Sequence, residues 1–198
     1  RGADTTRAAS DRFRTPPLFP GRRGFFMARV IFITGGARSG KSRLAEELAE
    51  SFGRPLCYVA TGEARDAEMA ERIAAHKARR GDTWHTVEEP RNLADILRET
   101  DGRYRAVLVD CITLWISNLL LHHGTATPVL AEVRTLVGSL PERATPLIFV
   151  SNEVGMGIVP ENALARIFRD LAGKANQMLA AAADEVYVTF SGIPLKLK

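Results

Sequence analysis

Cysteine is nearly absent from this 198-residue chain, with Cys57 and Cys111 its only thiols. Two cysteines cannot build a disulfide framework, and a reducing cytoplasm is the simplest compartment for them. Both stand in apolar, strand-like stretches, where a thiol behaves as a small buried hydrophobe. His85, His122 and His123 show no ligand spacing with cysteine or carboxylate, which argues against zinc. No apolar run reaches membrane-spanning length and no segment reads as a secretory signal. There is no G-x-S-x-G elbow of a hydrolase, no heptad array and no internal repeat.

Excess charge is also missing once its position is considered. The net charge of +4 is carried by residues 1–26, where six arginines face Asp4 and Asp11, and the remaining chain balances 21 basic against 21 acidic residues. A neutral body offers no phosphate-tracking footprint, so a nucleic-acid partner is not expected. Residues 1–26 lack a hydrophobic period, carry Thr15-Pro16-Pro17 and Pro20-Gly21, and stop just before Met27. They are read as a disordered basic leader upstream of a natural start, and residues 27–198 as one domain.

What is present is an alternation. Apolar, β-branched runs at 30–34, 56–61, 106–110, 146–151 and 186–191 are separated by helical stretches at 41–52, 66–80, 92–99, 114–122, 128–140 and 162–183. This pattern predicts an α/β fold, a mostly parallel sheet with helices on both faces. The loops leaving the strands then gather on one side of the sheet, where chemistry is expected.

The first strand runs into Gly35-Gly36-Ala37-Arg38-Ser39-Gly40-Lys41-Ser42, which fits G-x-x-x-x-G-K-[ST]. This is the P-loop pattern, whose backbone N–H groups wrap nucleotide phosphates while the following helix points its N-terminus at them. Strand before and helix after argue against a turn with a coincidental Lys-Ser pair. A second strand, Ala106-Val107-Leu108-Val109-Asp110, ends in a carboxylate. In a P-loop protein such a residue holds Mg²⁺ opposite the loop Ser/Thr, which pairs Asp110 with Ser42. A helix N-cap is the alternative role for Asp110.

In the 66–80 stretch, Met69, Ile73 and His76 share one helical face, and Arg72 and Arg80 flank His76 at four residues either side. Cations keep an imidazole neutral and nucleophilic and also attract polyphosphate, although a histidine on a mixed face is more often merely packed or solvated. Two further polar signals are Glu88-Glu89 after Trp84 and the glycine-bearing stretch from Ser151 to Glu161, which follows an expected strand and has a structural turn as its plain reading.

These residues together resemble a known family. The P-loop, Ala60-Thr61-Gly62, Arg72-Ile73-Ala74-Ala75-His76, Val109-Asp110-Cys111-Ile112-Thr113-Leu114-Trp115 and Asn152-Glu153-Val154-Gly155-Met156-Gly157 are similar to the bifunctional adenosylcobinamide kinase/adenosylcobinamide-phosphate guanylyltransferases of cobalamin biosynthesis. The resemblance runs from Met27 to Lys198. It implies that adenosylcobinamide is phosphorylated with ATP or GTP, and that GMP is then passed from GTP to the resulting phosphate through a guanylylated His76. It implies catalytic roles for His76 and Lys41. Nucleotide contacts are implied at Gly35, Gly36, Ala37, Arg38, Ser39, Gly40, Lys41, Ser42, Ala60, Thr61, Gly62, Lys77, Ala78, Arg79, Arg80, Glu88 and Asp110, with Mg²⁺ at Ser42 and Asp110. A corrinoid substrate and a homotrimer follow from the same likeness, beside the cytoplasmic location read from the cysteines. The alternative is a P-loop kinase or NTPase for another small molecule, with His76 a bystander.

Overall fold

Alternate side chains of four neighbouring strands sort onto two faces, and that sorting builds the molecule. In a computed structural model, residues 28–63, 71 and 83–198 are described. Val30 and Phe32 of β1 (Val30–Gly35), Cys57 and Val59 of β2 (Leu56–Ala60), Val107 and Val109 of β4 (Ala106–Asp110) and Leu147 and Phe149 of β5 (Leu147–Val150) fill one core layer. The intervening residues Ile31, Ile33, Leu56, Tyr58, Ala106, Leu108, Ile148 and Val150 fill the other. Strands buried on both faces read as continuous apolar runs, which is why the sequence exposes them. Phe149 is fully buried, and truncating such a ring to Ala costs about 3–5 kcal/mol.

The first layer is covered by α2 (Leu93–Thr100), α3 (Ile112–His123), α4 (Ala126–Ser139) and α5 (Ala163–Ala182). The second is covered by α1 (Lys41–Ser51), whose buried Ala45 and Ala49, four residues apart, let its backbone lie close to the sheet. Helices therefore stand on both faces, as expected. α3 ends at Gly124, which takes the left-handed conformation (φ 71°) and donates its N–H to Leu120 O at 2.8 Å.

With β3 (Trp84–Glu88), β6 (Glu185–Phe190) and β7 (Ile193–Lys196), the sheet has seven strands in the order β3-β2-β4-β5-β1-β6-β7, parallel except for β7. β3 and β7 were not anticipated. Both are edge strands, where one side faces solvent and apolar periodicity fades; β7 even tolerates Pro194. A signal for β7 exists, since Ser191 (φ 51°) and Gly192 (φ 84°) form a two-residue turn of the kind that joins hairpin strands. α4 begins at Ala126, two residues before the expected start. Pro128 is accommodated because first-turn N–H groups have no intrahelical partner. Residues 1–27 and most of the expected 66–80 helix lie outside the described residues.

Candidate active site

Register places three of the expected site residues, Glu88, Ala60 and Asp110, along one edge of the sheet. Glu88, Ala60, Asp110, Val150, Ile33 and Tyr187 are successive partners from β3 to β6, so they form one row at the strands' carboxyl ends. The P-loop leaves β1 two residues beyond that row. Glu88, Ala60 and Asp110 have the same strand parity as the residues packed beneath α1, so they share the face on which α1 lies.

The loop is shaped by positions only glycine can occupy. Gly35 has φ 149°, and a Cβ there would stand 2.5 Å from Thr189 O and 2.7 Å from Thr189 Oγ1. Gly40 has φ 97°, and its Cβ would meet Gly192 Cα at 3.2 Å. The β6–β7 turn (β6, Glu185–Phe190) is bolted to the loop. Gly192 N–H donates to Ser39 O at 2.9 Å, and the Ser39 and Thr189 hydroxyls are 2.7 Å apart. α1 starts after Gly40 without a side-chain cap, so no side chain occupies its first-turn N–H groups, the kind of position where anions bind.

Lys41 is buried at 6% exposure and folds back over the loop, donating to Gly36 O and, at 3.4 Å, to Ser39 Oγ. Burial pushes its ammonium below the usual lysine range, while the Cys111 thiolate, when formed, and the Asp110 carboxylate pull the other way. The Ser42 hydroxyl donates to Asp110 Oδ2 at 2.8 Å. Asp110 thus turns toward α1; the N-cap position of α3 belongs to Cys111, with no side-chain cap. The Cys111 thiol is pushed up to about 12, by burial first and then by the Asp110 charge, and Cys57 to about 12 by burial, so neither is a nucleophile at neutral pH.

Thr61 is fully buried. Its hydroxyl donates to Cys111 O at 2.7 Å and accepts from Cys111 N–H at 2.8 Å, clamping the end of β2 to the residue after Asp110. Asn118 Nδ2 donates to Thr61 O and Pro90 O, and Trp115 Nε1 to Arg91 O, so α3 fixes the loops after β2 and β3 together. A second buried network was missed by sequence reasoning. Ser151 Oγ lies 3.1 Å from Thr113 Oγ1 and donates to Asn176 Oδ1 at 2.6 Å, Asn152 N–H donates to Thr113 Oγ1, and Asn176 Nδ2 donates to Asn152 O. It anchors the segment whose Glu153 N–H donates to Gly35 O at 2.9 Å, at the foot of the P-loop.

Gly35 to Ser42 and Asp110 therefore converge, while Ala60 and Glu88 lie along the same row on β2 and β3. Glu88 is four strands from β1, about 19 Å at the usual strand spacing. His76, Lys77, Ala78, Arg79 and Arg80 lie outside the described residues.

A protein-family model described as cobinamide kinase / cobinamide phosphate guanyltransferase matches residues 31–197. The chain belongs to this family. Among relatives, the bifunctional adenosylcobalamin biosynthesis protein CobP of Pseudomonas aeruginosa is 46% identical over 166 residues, covering 84% of this chain and 95% of the relative. The bifunctional adenosylcobalamin biosynthesis protein CobU of Escherichia coli K12 is 41% identical over 181 residues, covering 85% of this chain and 99% of that one. Among solved structures, the KaiC-like protein PH0186 of Pyrococcus horikoshii OT3 gives a TM-score of 0.47 at 18% identity, covering 83% of this chain and 72% of that one. Within this cobinamide kinase/guanyltransferase family chain, the P-loop and Asp110 are joined directly by the Ser42–Asp110 hydrogen bond.

Proposed function

We propose that the chain is a bifunctional enzyme that phosphorylates the aminopropanol hydroxyl of adenosylcobinamide and then caps the product with GMP. The observation that carries this reading is the phosphate cradle with Ser42 against Asp110, in a chain matched to the family along nearly its whole described length.

In the first half-reaction the substrate hydroxyl oxygen bonds the γ-phosphorus of ATP or GTP, the bond to the β-phosphate oxygen breaks, and the nucleoside diphosphate leaves as the hydroxyl proton is released. Lys41 and the first-turn N–H groups of α1 position the β- and γ-phosphates and meet the charge that develops on them. The loop alcohol and the strand-end carboxylate are hard oxygen donors already within hydrogen-bond distance, and so few protein ligands suit Mg²⁺, which takes its other ligands from phosphate and water. Among the described residues no cluster of three or more His, Cys, Asp or Glu offers an all-protein metal cage. Mg²⁺ held by Ser42 and Asp110 would neutralise phosphate charge during transfer.

In the second half-reaction the His76 imidazole attacks the α-phosphorus of GTP and pyrophosphate departs. A phosphate oxygen of adenosylcobinamide phosphate then displaces the imidazole, giving adenosylcobinamide-GDP. Lys77, Arg79 and Arg80 supply cations beside His76, and the backbone at Ala60–Gly62 borders the nucleotide. The Glu88 carboxylate accepts from guanine N1–H and the 2-amino group, donors that adenine lacks at those positions. A homotrimer working in the cytoplasm is part of this proposal. No helix among the described residues is long and apolar enough to cross a membrane.

Incubation with Mg-GTP and adenosylcobinamide tests it by chromatography and mass spectrometry of the corrinoids. The expected sequence is adenosylcobinamide phosphate followed by adenosylcobinamide-GDP, with pyrophosphate released in the second phase. Hydrolysis of GTP with no change in the corrinoid would refute it.

A further inference from the structure

A groove of about 420 Å³ opens beside the P-loop, away from Ala60 and Glu88. One wall is α1, with Arg43, Leu44 and Glu47; the other is the β6–β7 turn and the start of β7, with Gly192 and Pro194. Arg38 and Gly40 of the P-loop line it as well, so groove and loop are continuous. Arg38 is held in a left-handed backbone conformation (φ 55°), which is uncommon for a residue with a side chain.

The groove has the size and chemistry of a nucleoside site. Leu44 and Pro194 present apolar surface from opposite walls, suited to the faces of a flat heterocycle. Glu47 is an acceptor-only group when ionised, and its Oε1 already takes Arg43 Nε at 2.8 Å. Its carboxylate suits the 6-amino group of adenine as well as the N1–H and 2-amino group of guanine. Arg38, which also lines the groove, offers a guanidinium suited to a phosphate chain that runs from the groove to the loop. The walls are fixed relative to the loop by the Gly192–Ser39 and Ser39–Thr189 hydrogen bonds.

The position of Glu88 makes this groove significant. β6 and β7 lie on one side of β1, whereas Glu88 lies four strands away on the other. A triphosphate gripped by the one cradle cannot extend its base in both directions. The two half-reactions also need different phosphorus atoms presented, γ for the kinase and α for guanylylation. We propose that the groove between α1 and the β6–β7 turn is a purine-nucleoside subsite for the phosphoryl donor, separate from the guanine site at Glu88. It accepts either purine, so donor choice in the kinase step is broad while guanylylation selects GTP. This rests on the bifunctional reading above.

Photo-crosslinking of the full chain with Mg-8-azido-ATP, followed by peptide mapping, tests the assignment alongside calorimetric binding of inorganic tripolyphosphate. Label is expected within 38–47 or 189–194, competed by ATP. Pro194→Trp, which fills the groove from an exposed edge strand, and Glu47→Lys on the exposed face of α1 should each lower ATP affinity about tenfold while tripolyphosphate still binds. Label confined to 60–62 and 84–88, or ATP affinity unmoved in both variants, would overturn the subsite and leave the bifunctional reading standing. Failure of the unaltered chain to bind tripolyphosphate would overturn the cradle, and the bifunctional reading with it.

Discussion

Replacing Lys41 with Met removes the cation at the centre of the site and should make the empty protein more stable. Lys41 is buried at 6% exposure, and its described partners, a backbone carbonyl and a hydroxyl, are neutral. Its ammonium is held below the ordinary lysine value chiefly by loss of water, so the charged form is worse off in the fold than in the unfolded chain. Met keeps the apolar stem and drops the charge. Gly36, which loses a donor, is exposed and its carbonyl can take water instead. Such relief of a strained functional site is typically worth about 0.5–2 kcal/mol, and Tm rises by about 2–4 °C for each kcal/mol in a chain of this size. The sign with pH follows from linkage. Between the folded and unfolded pKa of Lys41 the unfolded state binds more protons, so the wild-type chain gains stability as pH rises through that window and Lys41→Met does not. With Mg-GTP at a hundred times its Kd, the wild type should gain about 5–10 °C and the variant nothing measurable. Differential scanning calorimetry with and without nucleotide reads both effects. A variant that melts lower when empty, or that keeps the nucleotide shift, refutes this account of Lys41.

Asp110→Asn keeps an oxygen able to accept from Ser42 but loses the charge. Mg-GTP affinity should fall about 10- to 100-fold with little change in the empty protein's Tm, and an unaltered magnesium dependence in calorimetry would count against the metal role. Glu88→Gln should narrow the preference for GTP over ATP in protein guanylylation by about tenfold, and an unchanged preference removes Glu88 from base recognition. Glu185 is buried at the start of β6. Burial pushes its carboxyl up, but hydrogen bonds from Lys196 and Tyr187 and the charge of Arg29 carry it below the ordinary glutamate value. Its stabilising effect is present at neutral pH and lost as pH falls through the lowered value. Glu185→Gln should therefore lower Tm by about 2–4 °C at pH 7, and the gap should close in acid.

The legible parts of this molecule are those set by local rules. A doubly buried strand is apolar throughout, a phosphate loop needs glycine where Thr189 and Gly192 crowd it, and a strand ending in Asp beside such a loop has a natural partner in Ser42. These features fixed β1, α1, β4 and the Ser42–Asp110 contact as expectations. The edge strands β3 and β7 escaped because half of each faces water. The buried networks escaped for another reason. Thr113 and Asn176 stand on α3 and α5 while Ser151 follows β5, and Thr61 and Asn118 are 57 residues apart, so nothing in a local window marks any of them as partners. Thr61 shows the consequence: a residue expected to touch nucleotide spends its hydroxyl on the backbone of Cys111.

In the proposed guanylylation GMP passes through a covalent bond to one histidine, and intact-mass analysis after incubation with Mg-GTP, with peptide mapping at alkaline pH, reads that bond. One GMP per chain is expected, attached at His76 and absent from His76→Ala. An unmodified wild-type chain, or GMP mapped to another residue, would contradict it.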